Sequence, residues 1–243
     1  MARAQKAGDW AQTAKASAGR GSQGQRSYEQ IKQDLLRGRF RPAEVFSIDA
    51  LAAELGVSRQ PVMDAMRRLA AERLVEVIPQ VGCRVATHSL QEIGDFFYLF
   101  ASVEGLLAQL AAERHTPPEL RRLHLVSGEI AALRGPKVSA AARSEGYRTL
   151  NREFHGLIHQ MARAPEIASF AQSCWDRSDF HLTSSSSHRL FAERLREAHD
   201  DHESLLGLLA ARKGTAAGNA MKGHILGFRE SLLSFLTEAE GSK

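Results

Sequence analysis

Residues 47–86 read SIDALAAELGVSRQPVMDAMRRLAAERLVEVIPQVGCRVA, and this stretch decides the fold of the N-terminal region. Apolar residues recur at helical spacing in its first part, which predicts a helix capped by Ser47 and ended by Gly56. A second helix is predicted after Ser58, with Pro61 in its first turn, where a missing N–H costs little. The tight turn between the two helices is typical of a helix-turn-helix.

Two β-rich runs complete the stretch, residues 74–78 and 83–86, and the letters PQVG between them are typical of a turn. Upstream, apolar residues at helical spacing predict another helix, and Val45-Phe46 is strand-like. Three helices and a β-hairpin predict a winged helix-turn-helix over residues 27–87. Because modules of this kind bind DNA, the pattern favours a DNA-binding protein.

The spelling of this region is more specific than its pattern. Residues 51–85 read LAxxLGVSRxPVxxAxxxLxxExLVExxPxxGxxV, where x is any residue. This spelling resembles the DNA-binding domain of the GntR family of bacterial transcription regulators, and the resemblance runs from about Tyr28 to Ala86. It implies a recognition helix that begins near Arg59 and lies in the major groove of a DNA operator.

Side chains in the first half of a recognition helix reach base edges and phosphates. Arg59 is the strongest candidate, because it is second in the helix and can bond guanine through two N–H groups. A glycine at the wing tip would let the backbone approach the minor groove. For Arg67 and Arg84, a solvated surface charge is an equal alternative. The predicted DNA-contacting residues are Ser58, Arg59, Gln60, Met63, Arg67, Gln80, Gly82 and Arg84.

One position departs from the GntR spelling. The common sequence PVREAL, whose Arg contacts DNA, is replaced here by PVMDAM, so that Met63 stands in the place of that Arg. The loss of one charged contact should weaken operator binding by about 1–3 kcal/mol per protomer. Alternatively, Met63 reads the methyl group of a thymine, and the operator differs from the family's usual one.

After residue 87, strand signals vanish and helical periodicity dominates. Proline and glycine divide the region into six helical segments, with Thr116 and Thr215 placed as N-caps. The chain is therefore predicted to be mainly α, with an all-α helical bundle of six or seven helices over residues 88–240. The predicted helices span residues 90–114, 117–134, 139–163, 165–180, 188–212 and 215–238.

This region carries a second resemblance. The segments VEGLLAQLAAER (103–114), NREFHGLIHQMARAPEI (151–167) and HDDHESLLGLLAARKGTAAGNAMKGHI (199–225) are similar to the FCD effector domain of the FadR subfamily of GntR regulators. The resemblance implies a helical domain that binds a small ligand and mediates dimerisation. The two resemblances occur in the order expected of such a regulator, so each supports the other.

The FCD resemblance also implies a metal site. FCD domains that bind metal use an Asp, a His four residues later and two distant His; the matching positions here are Asn151, His155, His202 and His224. Asn151 replaces the usual Asp, and its neutral carbonyl favours Zn or Ni over Mg or Ca as the divalent metal. His159 shares the helical face of His155 and is either a further ligand or, as preferred here, a neighbour of the site or a solvent-facing residue. Three ordinary helix histidines are the alternative reading.

Such domains hold a carboxylate effector beside the metal, often with an Arg from the first helix of the bundle. That Arg would stand four residues before Glu104, where this chain has Phe100. The acid-binding residue is therefore absent or displaced, and Arg152, Arg189 or Arg194 is a candidate to replace it. The alternative is a less polar pocket lined by Phe100, although most aromatic residues of that helix are expected in the core.

Composition and charge set the broad class of the protein. The net charge is +4, and the basic excess lies in residues 1–26, which are rich in Ala, Gly, Ser and Gln and are predicted to be a disordered basic tail. The tail is either inert or a non-specific DNA-contacting arm. The N-terminal residues show no apolar h-region and no apolar run is near eighteen residues long, so neither a signal peptide nor a membrane span is predicted. Cys83 and Cys174 are expected to be reduced thiols in the cytoplasm.

Together these features predict a DNA-binding transcription regulator, by default a repressor. A homodimer is expected to bind a palindromic double-stranded operator, and an organic acid bound near a divalent metal is expected to modulate that binding. A regulator for which the ion itself is the signal is the first alternative. A helical-bundle metallohydrolase is less favoured, because no carboxylate has the spacing of H-E-x-x-H.

Overall fold

The structure is a computed structural model that describes residues 23–135, 138–184 and 189–241. The chain divides into two compact units, with the boundary between Thr87 and His88. This boundary coincides with the one that the sequence places between the DNA-binding and helical domains. The two units are described separately.

In its described residues, 23–87, the first unit contains three helices and a three-stranded antiparallel sheet in the order β1-β3-β2. Strand β1 pairs with β3 at Val45–Arg84, and β2 pairs with β3 from Val75–Val85 to Ile78–Gly82. The predicted winged helix-turn-helix is confirmed. Its elements are α1 (23–36), β1 (Val45–Phe46), α2 (Ile48–Leu55), α3 (Arg59–Ala71), β2 (Val75–Ile78) and β3 (Gly82–Val85).

Helix α1 begins earlier than the sequence indicates. Residues 23–26 were expected to belong to the disordered tail but form the first turn of α1, so the predicted tail 1–26 is too long; residues 1–22 lie outside the described part. Long-range contacts account for the difference. Gln25 donates to Glu29 at 2.6 Å and accepts from Arg68 of α3 at 2.7 Å, which ties this turn to the recognition helix.

Local capping signals set the limits of α2 and α3. The Ser47 hydroxyl accepts from the Ala50 N–H at 2.9 Å, and Gly56 ends α2 in the left-handed region at φ 64°. Ser58 occupies the N-cap position of α3, but its hydroxyl makes no capping hydrogen bond. The Ser58 hydroxyl therefore does not cap the N-terminus of α3.

Gly82 has a different role from the one expected. It begins β3 instead of lying at the wing tip, which consists of residues 79–81. Its φ is 145°, and a Cβ atom there would lie 2.5 Å from the carbonyl oxygen of Phe46 in β1. Glycine is thus required by the close approach of two strands of the sheet, independently of any contact between the wing and DNA.

We expect Gly82→Ala to destabilise the first unit by about 2–3 kcal/mol, because the added methyl group meets backbone that cannot move without breaking strand pairing. Urea unfolding followed by circular dichroism measures this loss. Gly128→Ala is the matched control, since a Cβ there meets nothing within 4 Å. Equal stability of Gly82→Ala and the wild type would contradict the packing argument.

The second unit is all helical, as predicted, in the described residues. The helices agree with the sequence within a few residues, except that one continues to Ser184 instead of ending at 180. They are α4 (Leu90–Arg114), α5 (Pro117–Ala132), α6 (Ala140–Ala162), α7 (Pro165–Ser184), α8 (Arg189–Ala210) and α9 (Gly214–Gly241).

Helix α4 is the central helix of the bundle and packs most extensively against α9. Small residues allow the close approach, since a Cβ at Gly105 would lie 2.8 Å from the Gly218 carbonyl oxygen. By length and composition alone α4 could cross a membrane, although the sequence predicts no such span. In the fold, 56% of its most apolar stretch is buried, and its apolar composition reflects its place in the core.

Candidate metal centre and DNA-reading face

Helices α6, α8 and α9 bring three predicted ligands together. One nitrogen from each of His155, His202 and His224 lies within 4.8 Å of the other two. His155 and His202 are fully buried, and His224 is half-buried. Three imidazole nitrogens at this separation can share one divalent cation.

Hydrogen bonds orient two of these rings. His155 Nδ1 donates to Glu104 Oε2 of α4 at 2.8 Å, and His224 Nδ1 lies 3.1 Å from Asp201 Oδ2. A carboxylate on one imidazole nitrogen leaves the lone pair of the other available to a metal, as in carboxylate–histidine–metal arrangements. In the described structure the other nitrogen of His155, Nε2, is buried and has no hydrogen-bond partner.

His202 and Asn151 contribute further unpaired atoms. Both ring nitrogens of His202 are buried without a partner, and its ring stacks on Phe154 with centroids 4.0 Å apart. The Oδ1 atom of Asn151, one turn before His155 on α6, is also buried and unpaired in the part of the chain that is described. Buried polar atoms are rarely left without a partner, so this cluster fits a bound cation.

Glu104 organises one side of the cluster. Its carboxylate is fully buried and accepts from His155, from His159 Nε2 at 2.7 Å and from Trp175 Nε1 at 3.0 Å. Burial alone would raise its pKa, but the hydrogen bonds from the two histidines outweigh burial and lower the pKa of Glu104 to about 2. His159 therefore contacts this carboxylate and is not part of the three-histidine group.

Two of the three clustered histidines, His155 and His202, are held in the neutral form that metal ligation requires. Burial lowers the pKa of His155 to about 4, although Glu104 opposes the shift. Burial also lowers the pKa of His202 well below its usual value, and the neighbouring His224 and His155 add to the effect. Both imidazoles are accordingly available as ligands at neutral pH.

A cavity adjoins the cluster. Its empty space measures about 500 Å³ when the open mouth is included. The interior volume that is accessible to water is about 30 Å³. Phe100, a predicted pocket residue, lines it. The lining residues are Phe100, Tyr147, Asn151, Trp175, Ser178, Asp179, Leu182, Arg194, Ala198, His224, Ile225 and Phe228.

Arg152 does not line this cavity, although the sequence made it a candidate pocket residue. Its Nη2 atom lies 2.7 Å from Asp179 Oδ2 and 2.8 Å from Asp176 Oδ1, so two carboxylates of α7 hold the guanidinium. Asp179 itself lines the cavity, and Arg152 compensates its charge. The Arg189 side chain, the other predicted pocket residue, lies outside the described part.

The predicted DNA-contacting residues of α3 form an accessible face. The Arg59 side chain is 66% exposed, and its Nε lies 3.2 Å from Asp49 Oδ1. Gln60 and Arg67 each approach Asp64 Oδ1 at 3.0 Å, and Met63 is half-buried. Exposed ion pairs of this kind contribute little, so the arginines can exchange them for phosphates or bases.

The wing offers fewer free side chains. Gln80 is exposed at its tip with φ 63°, while the Arg84 side chain bonds Glu76 on the neighbouring strand, with Nε 3.2 Å from Oε2. Of the three predicted wing contacts, Gln80, Gly82 and Arg84, the Arg84 side chain is thus less available than that of Gln80.

Both halves of the chain match known protein families. Residues 23–85 match the gntR family of bacterial regulatory proteins, and residues 95–227, more than half of the chain, match the FCD domain. The chain belongs to the GntR family. This GntR-family chain is a DNA-binding transcription regulator with an FCD effector-binding domain, and the metallohydrolase alternative is excluded by its family.

Relatives of this GntR-family chain are named as transcriptional regulators or repressors. It is 29% identical over 208 residues to the HTH-type transcriptional repressor GlaR of Escherichia coli K12, covering 82% of this chain and 90% of that protein. It is 26% identical over 206 residues to the Nta operon transcriptional regulator of Aminobacter aminovorans, with the same coverage. The solved structure of E. coli McbR/YncC has the same fold, with a TM-score of 0.66 and 20% identity over 90% of this chain and 98% of that one.

The sequence missed two features of the helical domain. Glu104 served only to locate the place of a missing Arg, yet it is the acceptor that orients His155. The available signal was a lone acidic residue in the apolar middle of α4, since a buried charge in such a place needs partners. Asp179 gave no signal, because its partner Arg152 lies 27 residues away on another helix.

Proposed function

We propose that this regulator is a repressor whose homodimer binds a palindromic operator, and whose operator affinity is modulated by an organic acid bound beside a divalent metal. Asn151, His155, His202 and His224 are the proposed protein ligands of the metal. The observation that carries the proposal is the convergence of His155, His202 and His224, together with the buried atoms of Asn151, His155 and His202 that have no hydrogen-bond partner in the described structure.

Charge balance supports a cation at this place. Glu104 is an ionised carboxylate with no exposure to solvent, and burial keeps His155 and His202 neutral. Three hydrogen bonds stabilise this carboxylate, and a divalent ion in contact with its partner His155 supplies a compensating positive charge. Three imidazoles with a neutral amide oxygen favour Zn or Ni.

The metal and the cavity together suit an acid effector. Asn151 and His224 line the cavity as well as belonging to the proposed ligand set, so a molecule in the cavity lies next to the ion. A metal supplies an electrostatic anchor for a carboxylate, and no reaction is required. The effector changes operator affinity if it binds the DNA-competent and DNA-incompetent states with different affinities. A cytoplasmic location agrees with access to DNA.

Mass spectrometry of the purified protein tests the site. We expect about one divalent metal per chain in the wild type and none in His202→Ala, because the variant loses a central ligand. His199→Ala is the matched control: His199 lies three residues earlier on α8 but outside the three-histidine group, so its variant should retain the metal. A wild type free of metal, or equal loss in both variants, would contradict the proposed site.

The same samples separate an acid-responsive regulator from one that responds to the ion itself. If removal and return of the metal switch operator binding without any organic acid, the ion is the signal. If the metal-loaded protein binds its operator and releases it only when an acid is added, the effector is the acid and the metal is its anchor.

A further inference from the structure

We propose that Arg194 on α8 is the anion-binding residue of the cavity, and that the effector is a compact monocarboxylate with an apolar body. The proposal deepens the proposed function and rests on its cavity. It assigns to α8 the role that the family resemblance places on α4, where this chain has Phe100.

Arg194 is placed to meet a ligand. It lines the cavity beside His224 and Asn151, and its side chain is 15% exposed. Its ion pair is with Glu197 Oε2 at 3.1 Å, a carboxylate that is 71% exposed. Such a pair is weak because its acid partner is well hydrated, so a ligand carboxylate can take its place.

The opposite helix leaves room for this guanidinium. A Cβ atom at Gly227 of α9 would lie 3.1 Å from Nη2 of Arg194, tighter than nine in ten real contacts of a Cβ atom. Glycine at this position therefore allows the Arg194 head group to lie against the α9 backbone. Arg194 also lies close enough to the buried Tyr147 for its charge to oppose the rise in the pKa of that hydroxyl caused by burial.

The other charges at the cavity are already compensated. Asp179 faces the cavity and is bonded by Arg152, which lies outside the lining. Among the described residues that line the cavity, Arg194 is the permanent cation, and His224 belongs to the proposed metal site. The Arg194 head group lies against Gly227, one turn after His224 on α9, so one carboxylate can meet both Arg194 and the proposed metal, and a second carboxylate finds no further cation in the described lining.

The remaining wall is apolar. Phe100 and Trp175 meet edge to face with centroids 5.2 Å apart, and Leu182, Ile225 and Phe228 complete the surface. A second carboxylate would be desolvated against these rings or would lie near Asp179, and either placement is unfavourable. The small enclosed space further favours a ligand of few atoms. Hence the expected class is a short monocarboxylate whose hydrocarbon part lies on Phe100.

Three probes of equal chain length test this inference: butyrate, its neutral amide butyramide, and the dianion succinate. Calorimetry on the full-length, metal-loaded protein should show butyrate binding at least about tenfold tighter than the other two. Arg194→Met should weaken butyrate binding at least about tenfold, and Arg194→Lys should weaken it less, because the charge is kept. Arg196→Met, an exposed neighbour on α8, is the matched control and should bind butyrate like the wild type.

Metal content measured on the same samples distinguishes a failure of the proposed metal site from a failure of the Arg194 assignment. Arg194→Met should retain the metal, because Arg194 is not a ligand. A wild type that holds metal but binds no butyrate, or binds succinate equally well, overturns the inference and leaves the metal site standing. Butyrate binding that depends on Arg194 in a protein without metal supports the inference and overturns the metal site. Unchanged butyrate affinity in Arg194→Met overturns the assignment of Arg194.

Discussion

Arg59→Ala should abolish specific operator binding and leave metal and effector binding unchanged. Arg59 is the first residue of α3, and in the described part of the chain its 66% exposed side chain pairs with Asp49 on the surface. An arginine that bonds guanine through two N–H groups contributes about 1–3 kcal/mol of discrimination. In a symmetric dimer both copies are lost, so the combined effect is about 2–6 kcal/mol, or roughly 30-fold to 10⁴-fold in affinity.

Fluorescence anisotropy measures this effect on DNA that the wild type selects from a random pool, at one fixed salt concentration. Arg59→Lys should keep non-specific affinity and lose most of the specific affinity, because lysine cannot bond guanine in the same way. Arg122→Ala removes an equally exposed positive charge from the helical domain and should bind the operator normally. Equal loss of operator and metal binding in Arg59→Ala would mean that Arg59 is structural.

The winged domain was predictable because short-range signals define it. Ser47 and Gly56 lie at the ends of α2 and act on backbone groups within one turn, so the sequence alone limits the helix. The predictions from the sequence were wrong where contacts between residues distant in the chain determine the structure. Residues 23–26 are helical where Gln25 is bonded by Arg68, 43 residues later, and Gly82 is required by Phe46 of another strand.

In the helical domain too, some features were predictable from the sequence and others depend on contacts between distant residues. The three histidines follow from a family resemblance, and the helical spacing of α6, α8 and α9 makes their convergence possible. Which arginine faces the cavity depends on pairing across helices. Arg152 is bonded to carboxylates 24 and 27 residues away on α7 and does not line the cavity. No local sequence pattern distinguishes it from Arg194. The sequence could name candidates, but only the packing could choose among them.

Glu104→Gln should cost the metal-free protein about 3 kcal/mol of stability at pH 7, because it removes a charged acceptor of buried hydrogen bonds, each of which contributes about 1.5–3 kcal/mol. The carboxylate accepts from His155, His159 and Trp175, and all its accepting atoms lie in the core. A glutamine amide presents one acceptor and one donor group, so at least one of these donors meets a donor instead of an acceptor. Loss of the carboxylate that orients His155 should also weaken metal binding about 10- to 100-fold.

The pH dependence of this difference identifies the charge as its cause. The pKa of Glu104 is about 2 in the fold, below its ordinary value of 4.5. Its contribution to the free energy of unfolding is therefore complete above about pH 4.5 and declines as the pH falls toward 2, by about 2 kcal/mol at pH 3. The stability gap between wild type and Glu104→Gln should narrow over that range, because the neutral amide does not titrate.

Urea unfolding of metal-free wild type and Glu104→Gln between pH 7 and pH 3 measures both the gap and its narrowing. Glu153→Gln is the control: Glu153 lies on the surface of α6, paired with Arg122, and its loss should change stability by less than about 1 kcal/mol. A gap that stayed constant down to pH 3 would mean that shape alone, and not the buried charge, accounts for the loss. Because the same carboxylate orients His155, that result would also weaken the charge argument for a cation among the three histidines.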